Sequence, residues 1–283
     1  MSTINKSKIL HLRKSISQGF DIFLLIFALI VIFPYVWMFF SSFKSTNEVF
    51  TAQLQLLPTT WKWSNYTSVF TSTFLNSIKN SFIILLFGVT LDVLIAFLAG
   101  YAFAKLNFYG KSITFIVLLG SLMIPPQVLM LPSYILIGKL KWLNTFWGLI
   151  IPRLSPAFGL FLVRQFIMTV PNDIEEAACI DGANMFTRIF KIYWPICFPA
   201  VTTVGVFSLI GYWNDYYWPM MIISNKNMQT LSLTVAGYKN VEGLGNWSQQ
   251  MSAAVIATIP MIILFIFARK TLIGNITADA VKG

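Results

Sequence analysis

Histidine and cysteine are almost missing from this chain, and charge is scarce. His11 is the one histidine in 283 residues, and Cys179 and Cys197 are the two cysteines. His11 sits in a polar tail, which argues against histidine-based catalysis or metal ligation. Two cysteines are too few for a disulfide scaffold, and without a C-x-x-C spacing they suggest no metal site. No G-x-x-x-x-G-K-[ST] loop occurs and the glycines are dispersed, so this chain carries no nucleotide-hydrolysing motif of that kind. Charged residues make up 11% of the chain, against about 25% in soluble domains. Hydrophobic residues make up 57%, too many to hide from water, so most of the chain must face lipid. The net charge of +10 does not imply a nucleic-acid partner. The basic residues are scattered between apolar runs, a pattern that sets membrane topology.

Runs of about 18 residues or more with few or no charges read as membrane-crossing helices. Six are found: 22–40, 80–104, 112–138, 142–163, 192–223 and 251–268. The first follows a basic leader, but its apolar run is too long for a signal core and no A-x-A site follows, so it reads as an uncleaved anchor. With the N-terminus inside, twelve Lys and Arg fall in inner segments and seven in outer ones. That asymmetry predicts both termini in the cytoplasm. The expected organisation is a tail over 1–19, a six-helix transmembrane domain over 20–272, and a tail over 273–283.

The segment 170–199 lies between the fourth and fifth spans and opens VPNDIEEAACIDGANMF. Asp173, Glu175, Glu176 and Asp181, four of the ten acids, fall within nine residues. Asp173 with Glu176 resembles a capping box, predicting a helix over 174–180. Both glutamates would favour its positive end. Gly182 supplies a left-handed stop, and a second helix is expected from Asn184. Such a short helix with two flat alanines is a shape that a partner's groove can grip; an ordinary interfacial loop is the other reading.

The string EEAACIDGA, followed by Ile192 and Pro195, resembles the EAA loop of ABC importer permeases. Glu176, Ala177, Ala178, Gly182, Ile192 and Pro195 match that pattern, and Trp194 replaces an expected leucine. AGYAFAKLNFYGK, MIPPQVLMLP, WNDYYWP and the tail GNITADAVKG are similar to carbohydrate permeases, in particular the second permease of maltose-type transporters. The resemblance implies an all-α membrane protein, six transmembrane helices with a cytoplasmic EAA coupling helix, of the type I importer fold. It also implies a bacterial cytoplasmic membrane and a heterodimer with a second permease. Two ATPase subunits carrying ATP and magnesium, and an extracytoplasmic sugar-binding protein, complete the expected assembly. This chain would bind no cofactor itself. Coupling to the ATPase would fall to Glu176, Ala177, Ala178, Asp181, Gly182, Ile192 and Pro195. For Glu176, ATPase contact and helix capping both stay open.

Charges inside spans are expensive and mark function or helix–helix glue. Asp92 and Arg153 lie about twelve and eleven residues from the outer starts of their spans, which puts them at similar depth at ~1.5 Å per residue. An Asp92–Arg153 pair or shared network is therefore expected. Trp213, Asn214 and Asp215 combine an aromatic platform with amide and carboxylate acceptors, the chemistry a sugar needs. Tyr216–Trp218 fit an interfacial aromatic belt. Pro125, Pro126, Pro132 and Pro260 interrupt helical hydrogen bonding, as hinges or as packing kinks. Segments 41–79 and 225–250, the latter with Gly237, Gly243 and Gly245, are the expected docking surface for a binding protein. The rival readings are an importer of glycerol phosphate, which would want more cations in the path, and an ion-coupled secondary transporter. The latter calls for several membrane carboxylates and internal repeats, and only Asp92 and Asp215 qualify.

Overall fold

The computed structural model describes residues 3–49, 55–154, 156–238 and 246–280. Among these the chain is helical, with no strand. The helices are α1 (Thr3–Ser41), α2 (Thr46–Val49), α3 (Ser64–Val69), α4 (Ser72–Lys105), α5 (Lys111–Ser121), α6 (Pro126–Lys139), α7 (Phe146–Ile150) and α8 (Pro156–Met168). They continue as α9 (Asn172–Ile180), α10 (Met185–Thr187), α11 (Trp194–Ile196), α12 (Phe198–Trp213), α13 (Tyr217–Ile222), α14 (Leu231–Gly237) and α15 (Trp247–Ala280).

Three stretches are long and apolar enough to cross a membrane unbroken: Gly19–Ser41, Ser72–Lys105 and Trp247–Ala268. Three bent helix pairs pass the same test of length and apolarity together, and counting each pair as one span makes six. The expected third span breaks between α5 and α6 with a bend of 101°. Pro125 and Pro126 stand at that break, where proline's missing N–H costs no helical bond at the new N-terminus. Pro132 and Pro260 lie inside α6 and α15 without ending them. The fourth span bends by 48° between Phe146–Arg153 and Ala157–Met168, and the fifth by 76° between Met185–Ile196 and Phe198–Trp213. Apolarity alone reads through both bends. Around the second, Arg188–Tyr193 is a π-helix, and Pro195 withholds the N–H that would bond the Lys191 carbonyl. The fifth helix ends at Trp213, ten residues short of the apolar run.

The chain divides into two compact units, one of residues 1–70 with 238–256, the other of 71–237 with 257–283. In the first, the end of α1 turns into a polar and aromatic knot. Phe43 is buried against Trp61, Trp63 and Tyr66, with centroids 4.9, 4.9 and 5.0 Å away. Asn65 Nδ2 donates to the Ser42 and Lys44 carbonyls at 2.8 and 2.9 Å. Glu48 accepts the Ser45 N–H at 2.7 Å, the Thr59 N–H at 3.1 Å and the Thr59 hydroxyl.

In the second unit α4 is the axis on which α8 and α12 pack. Ala96, Phe97 and Tyr101 meet Val163, Ile167, Tyr193, Cys197, Val201 and Val204 in one buried cluster. Close approach depends on Gly100, where a Cβ would sit 2.7 Å from Val163 Cγ1. Small residues at such crossings let helix backbones meet in an apolar solvent that supplies no hydrophobic drive.

Candidate functional site

Pro171 is the N-cap of α9 and no side chain caps the helix start, so the expected Asp173–Glu176 capping box is not formed. Asp173 and Glu175 occupy the first turn, where carboxylates face unsatisfied N–H groups. The C-terminal end follows expectation. Gly182 takes φ 78°, the Ala183 N–H bonds the Ala178 carbonyl at 2.9 Å, and the Gly182 N–H bonds Cys179 at 3.0 Å. This is a Schellman stop. Asn184 then caps the next helix, its Oδ1 accepting the Thr187 N–H at 2.8 Å.

Glu175 is the side chain that fastens this helix. Its carboxylate accepts the Tyr193 hydroxyl at 2.9 Å, Arg188 Nη1 at 3.1 Å and the Tyr101 hydroxyl at 3.3 Å. Lys105 Nζ lies 3.7 Å away and donates to Asn172 Oδ1 at 2.7 Å. One half-buried anion thus ties α9 to the end of α4 and to the π-helix. Its neighbour Glu176, the residue that matches the EAA pattern, is exposed. The missed signal is Tyr101 and Lys105, one turn apart on α4, a polar pair ending an apolar span. The two alanines part ways: Ala178 is buried and Ala177 exposed, so a doubly bare face is not presented. Asp181, Gly182 and Pro195 are exposed and Ile192 half-buried. Ile180, 85% exposed, and Phe186, 74% exposed, project from the same elbow.

Arg153 Nη1 lies 2.5 Å from Asp215 Oδ2, and Tyr212 stands within electrostatic reach of Asp92, Arg153 and Asp215 together, an arrangement of the shared-network kind. Counting depth by helical rise does not foresee Asp215, because Arg153 closes a 3-10 turn at the break of its span and Asp215 lies beyond the end of α12. The Arg153 guanidinium also lies 5.3 Å from the centroid of the Tyr212 ring. Tyr212 is buried against α4 at Gly88, where a Cβ would come within 2.6 Å of the ring. Asp92, one turn along α4 from Gly88, is buried within electrostatic reach of Tyr212.

The sugar platform expected of Trp213 is not presented. Its ring is buried against the edge of Phe82 at 5.5 Å, and its indole N–H donates to the Ala257 carbonyl at 3.1 Å. Asn214 is exposed, with Nδ2 donating to the Ile210 carbonyl at 3.1 Å. Trp218, expected in an interfacial belt, is buried and donates to the Gly148 carbonyl at 2.9 Å; Tyr217 is exposed. In the 225–250 segment, Asn80 Nδ2 holds the carbonyls of Asn227 and Gln229 at 2.8 and 3.0 Å. Gly243 and Gly245 of that segment, residues 50–54 of the 41–79 segment and the end of the C-terminal tail lie outside the described residues.

Broken spans around α4, with a short helix pinned at their ends, are the architecture of a membrane permease. Residues 93–277 match the family of binding-protein-dependent transport system inner membrane components. The chain belongs to that family. The arabinooligosaccharides transport system permease protein AraQ of Halalkalibacterium halodurans is 30% identical over 264 residues, covering 90% of this chain and 93% of its own. The probable ABC transporter permease protein YurM of Bacillus subtilis is 28% identical over 264 residues, covering 93% and 87%. A solved bacterial ABC transporter involved in the import of the acidic polysaccharide alginate shares the fold. Its TM-score is 0.79 at 24% identity, over 94% of this chain and 97% of that one. This chain is accordingly a multi-pass membrane component of a bacterial ABC importer and not itself an enzyme. Its family implies a substrate-binding protein and ATPase subunits as partners.

Proposed function

We propose that this chain is one of two different permeases in an ATP-driven sugar importer that works by alternating access. Relatives named for arabinooligosaccharides, for polygalacturonan and rhamnogalacturonan, and for diacetylchitobiose support a sugar cargo. The observation that carries the coupling role is α9 itself, fastened through Glu175 on one side and bare on the other. A partner that grips the bare side moves α4 and the π-helix with it. In this reading both termini and the 170–199 loop are cytoplasmic, as the basic residues favour. The tails are 1–19 and 273–283, and the permease domain is 20–272. Glu176, Ala177 and Asp181 face the ATPase, while Ala178, Gly182, Ile192 and Pro195 shape the elbow. ATP and magnesium act on the ATPase pair, whose closure drives the rigid spans between inward-facing and outward-facing states. Asp92, Arg153, Asn214 and Asp215 line or brace the path, and Trp213 braces it from within the core.

The test is ATP-dependent uptake by the reconstituted assembly with its binding protein, using labelled oligosaccharides and glycerol 3-phosphate. Oligosaccharide uptake is expected, and Glu176→Lys or Gly182→Asp is expected to abolish it and loosen ATPase attachment while the chain still inserts. Normal uptake in both variants refutes the coupling role. The sn-glycerol-3-phosphate transport system permease protein UgpE of Pectobacterium atrosepticum, 29% identical over 268 residues, favours a second cargo. Against it, Arg153, a cation suited to a phosphate, is already paired with Asp215. Uptake of glycerol 3-phosphate in place of sugar would select that reading.

A further inference from the structure

We propose that a recess formed by the end of α4, the start of α5 and α8 binds the phosphate of an anionic phospholipid. The recess holds about 210 Å³ and is lined by Phe103, Lys111, Ser112, Phe115, Ile116 and Arg164. Lys111 Nζ donates to the Leu106 carbonyl at 2.8 Å, and Arg164 Nε donates to the Phe103 carbonyl at 3.2 Å. The guanidinium lies 4.3 Å from the Phe115 ring centroid. These contacts aim the two cations without neutralising them, because no carboxylate pairs with either among the described residues. Lys111 keeps two N–H donors and Arg164 keeps both terminal amino groups, a set matched to phosphate oxygens. Two like charges facing one recess favour an anion that both can reach.

The surroundings choose a lipid over a soluble anion. Ile113, Ile116 and Val117 on α5 are each about two-thirds exposed, an apolar wall for acyl chains beside the charged recess. Depth agrees as well. Lys105 ends the α4 span and Lys111 begins α5, the level of lipid headgroups. The Lys105–Asn172 bond at 2.7 Å puts the same membrane face beside α9. Basic pockets between spans at this depth suit acidic headgroups. The inference uses only the span ends and holds whichever solute the assembly carries.

Native mass spectrometry of the purified transporter tests it, in micelles doped with dioleoylphosphatidylglycerol or dioleoylphosphatidylcholine. Selective retention of phosphatidylglycerol is expected. Lys111→Gln should weaken it about fivefold and Lys111→Gln with Arg164→Gln about thirtyfold, while Lys191→Gln, an exposed cation of the π-helix, should leave it unchanged. Should the Arg164 variant fail to assemble, Lys111→Gln alone decides. Equal retention of phosphatidylcholine, or unchanged retention in the Lys111 variant, overturns the proposal. So does displacement of the lipid by millimolar inorganic phosphate, which would mark a soluble-anion site.

Discussion

Glu175 shows how one side chain can place a whole helix. Hydrogen bonds to a charged partner contribute about 1.5–3 kcal/mol, and part of that is lost here to solvent. Replacement by alanine also strands Arg188 and Lys105 without their anion. Glu175→Ala should therefore lower the stability of the purified assembly by about 2 kcal/mol, read from thermal unfolding. Glu176→Ala, at an exposed position, should change it by less than about 0.5 kcal/mol. The Arg153–Asp215 pair makes a second prediction at this scale. Removing one partner leaves a shielded charge, costing about 2–3 kcal/mol, whereas removing both costs less. Asp215→Asn and Arg153→Gln should each unfold earlier than the double variant. Additive losses would show that the pair is not coupled.

Helix ends were the most readable elements in this chain, because turn chemistry is local. Gly182 and Asn184 act where the sequence places them, since a left-handed stop and an Asx cap involve only a few neighbouring residues. Gly182→Ala meets open space around its Cβ, so its cost is backbone strain alone, about 1 kcal/mol. Gly182→Asn should cost clearly less, and a melting comparison of the two separates strain from crowding. The contacts of Glu48 with Ser45 and Thr59 carry a pH signature. The Thr59 hydroxyl first, then the Ser45 amide, hold the Glu48 carboxyl down at about 2 from its ordinary 4.5. A depressed carboxyl stabilises the fold fully above about pH 4.5, and that contribution fades as pH falls toward 2. The protection factor of the Ser45 amide, its exchange rate corrected for the intrinsic pH dependence, should fall as pH drops through that window in the native chain and stay flat in Glu48→Gln. The start of α9 was harder to read: Pro171 caps nothing, and Asp173 with Glu176 mimics a capping pattern that the backbone does not use.

For the whole molecule, the two cysteines report topology. Cys179 is exposed on α9 and Cys197 is buried. A membrane-impermeant thiol reagent should label Cys179 in inside-out vesicles and spare it in intact cells, with Cys197 unreactive in both. Labelling of Cys179 from outside would invert the proposed orientation. Six apolar stretches, the approximate limits of most of them and the elbow between the fourth and fifth were legible from residue order. Run length, charge and turn residues are one-dimensional properties, and lipid rewards them directly. Which spans bend, that Arg153 meets Asp215, that Trp213 turns inward and that Glu175 fastens α9 emerged only on folding. Each of those outcomes depends on residues tens of positions apart arriving at one place. Packing between helices, to which residue order alone is blind, chooses those meetings.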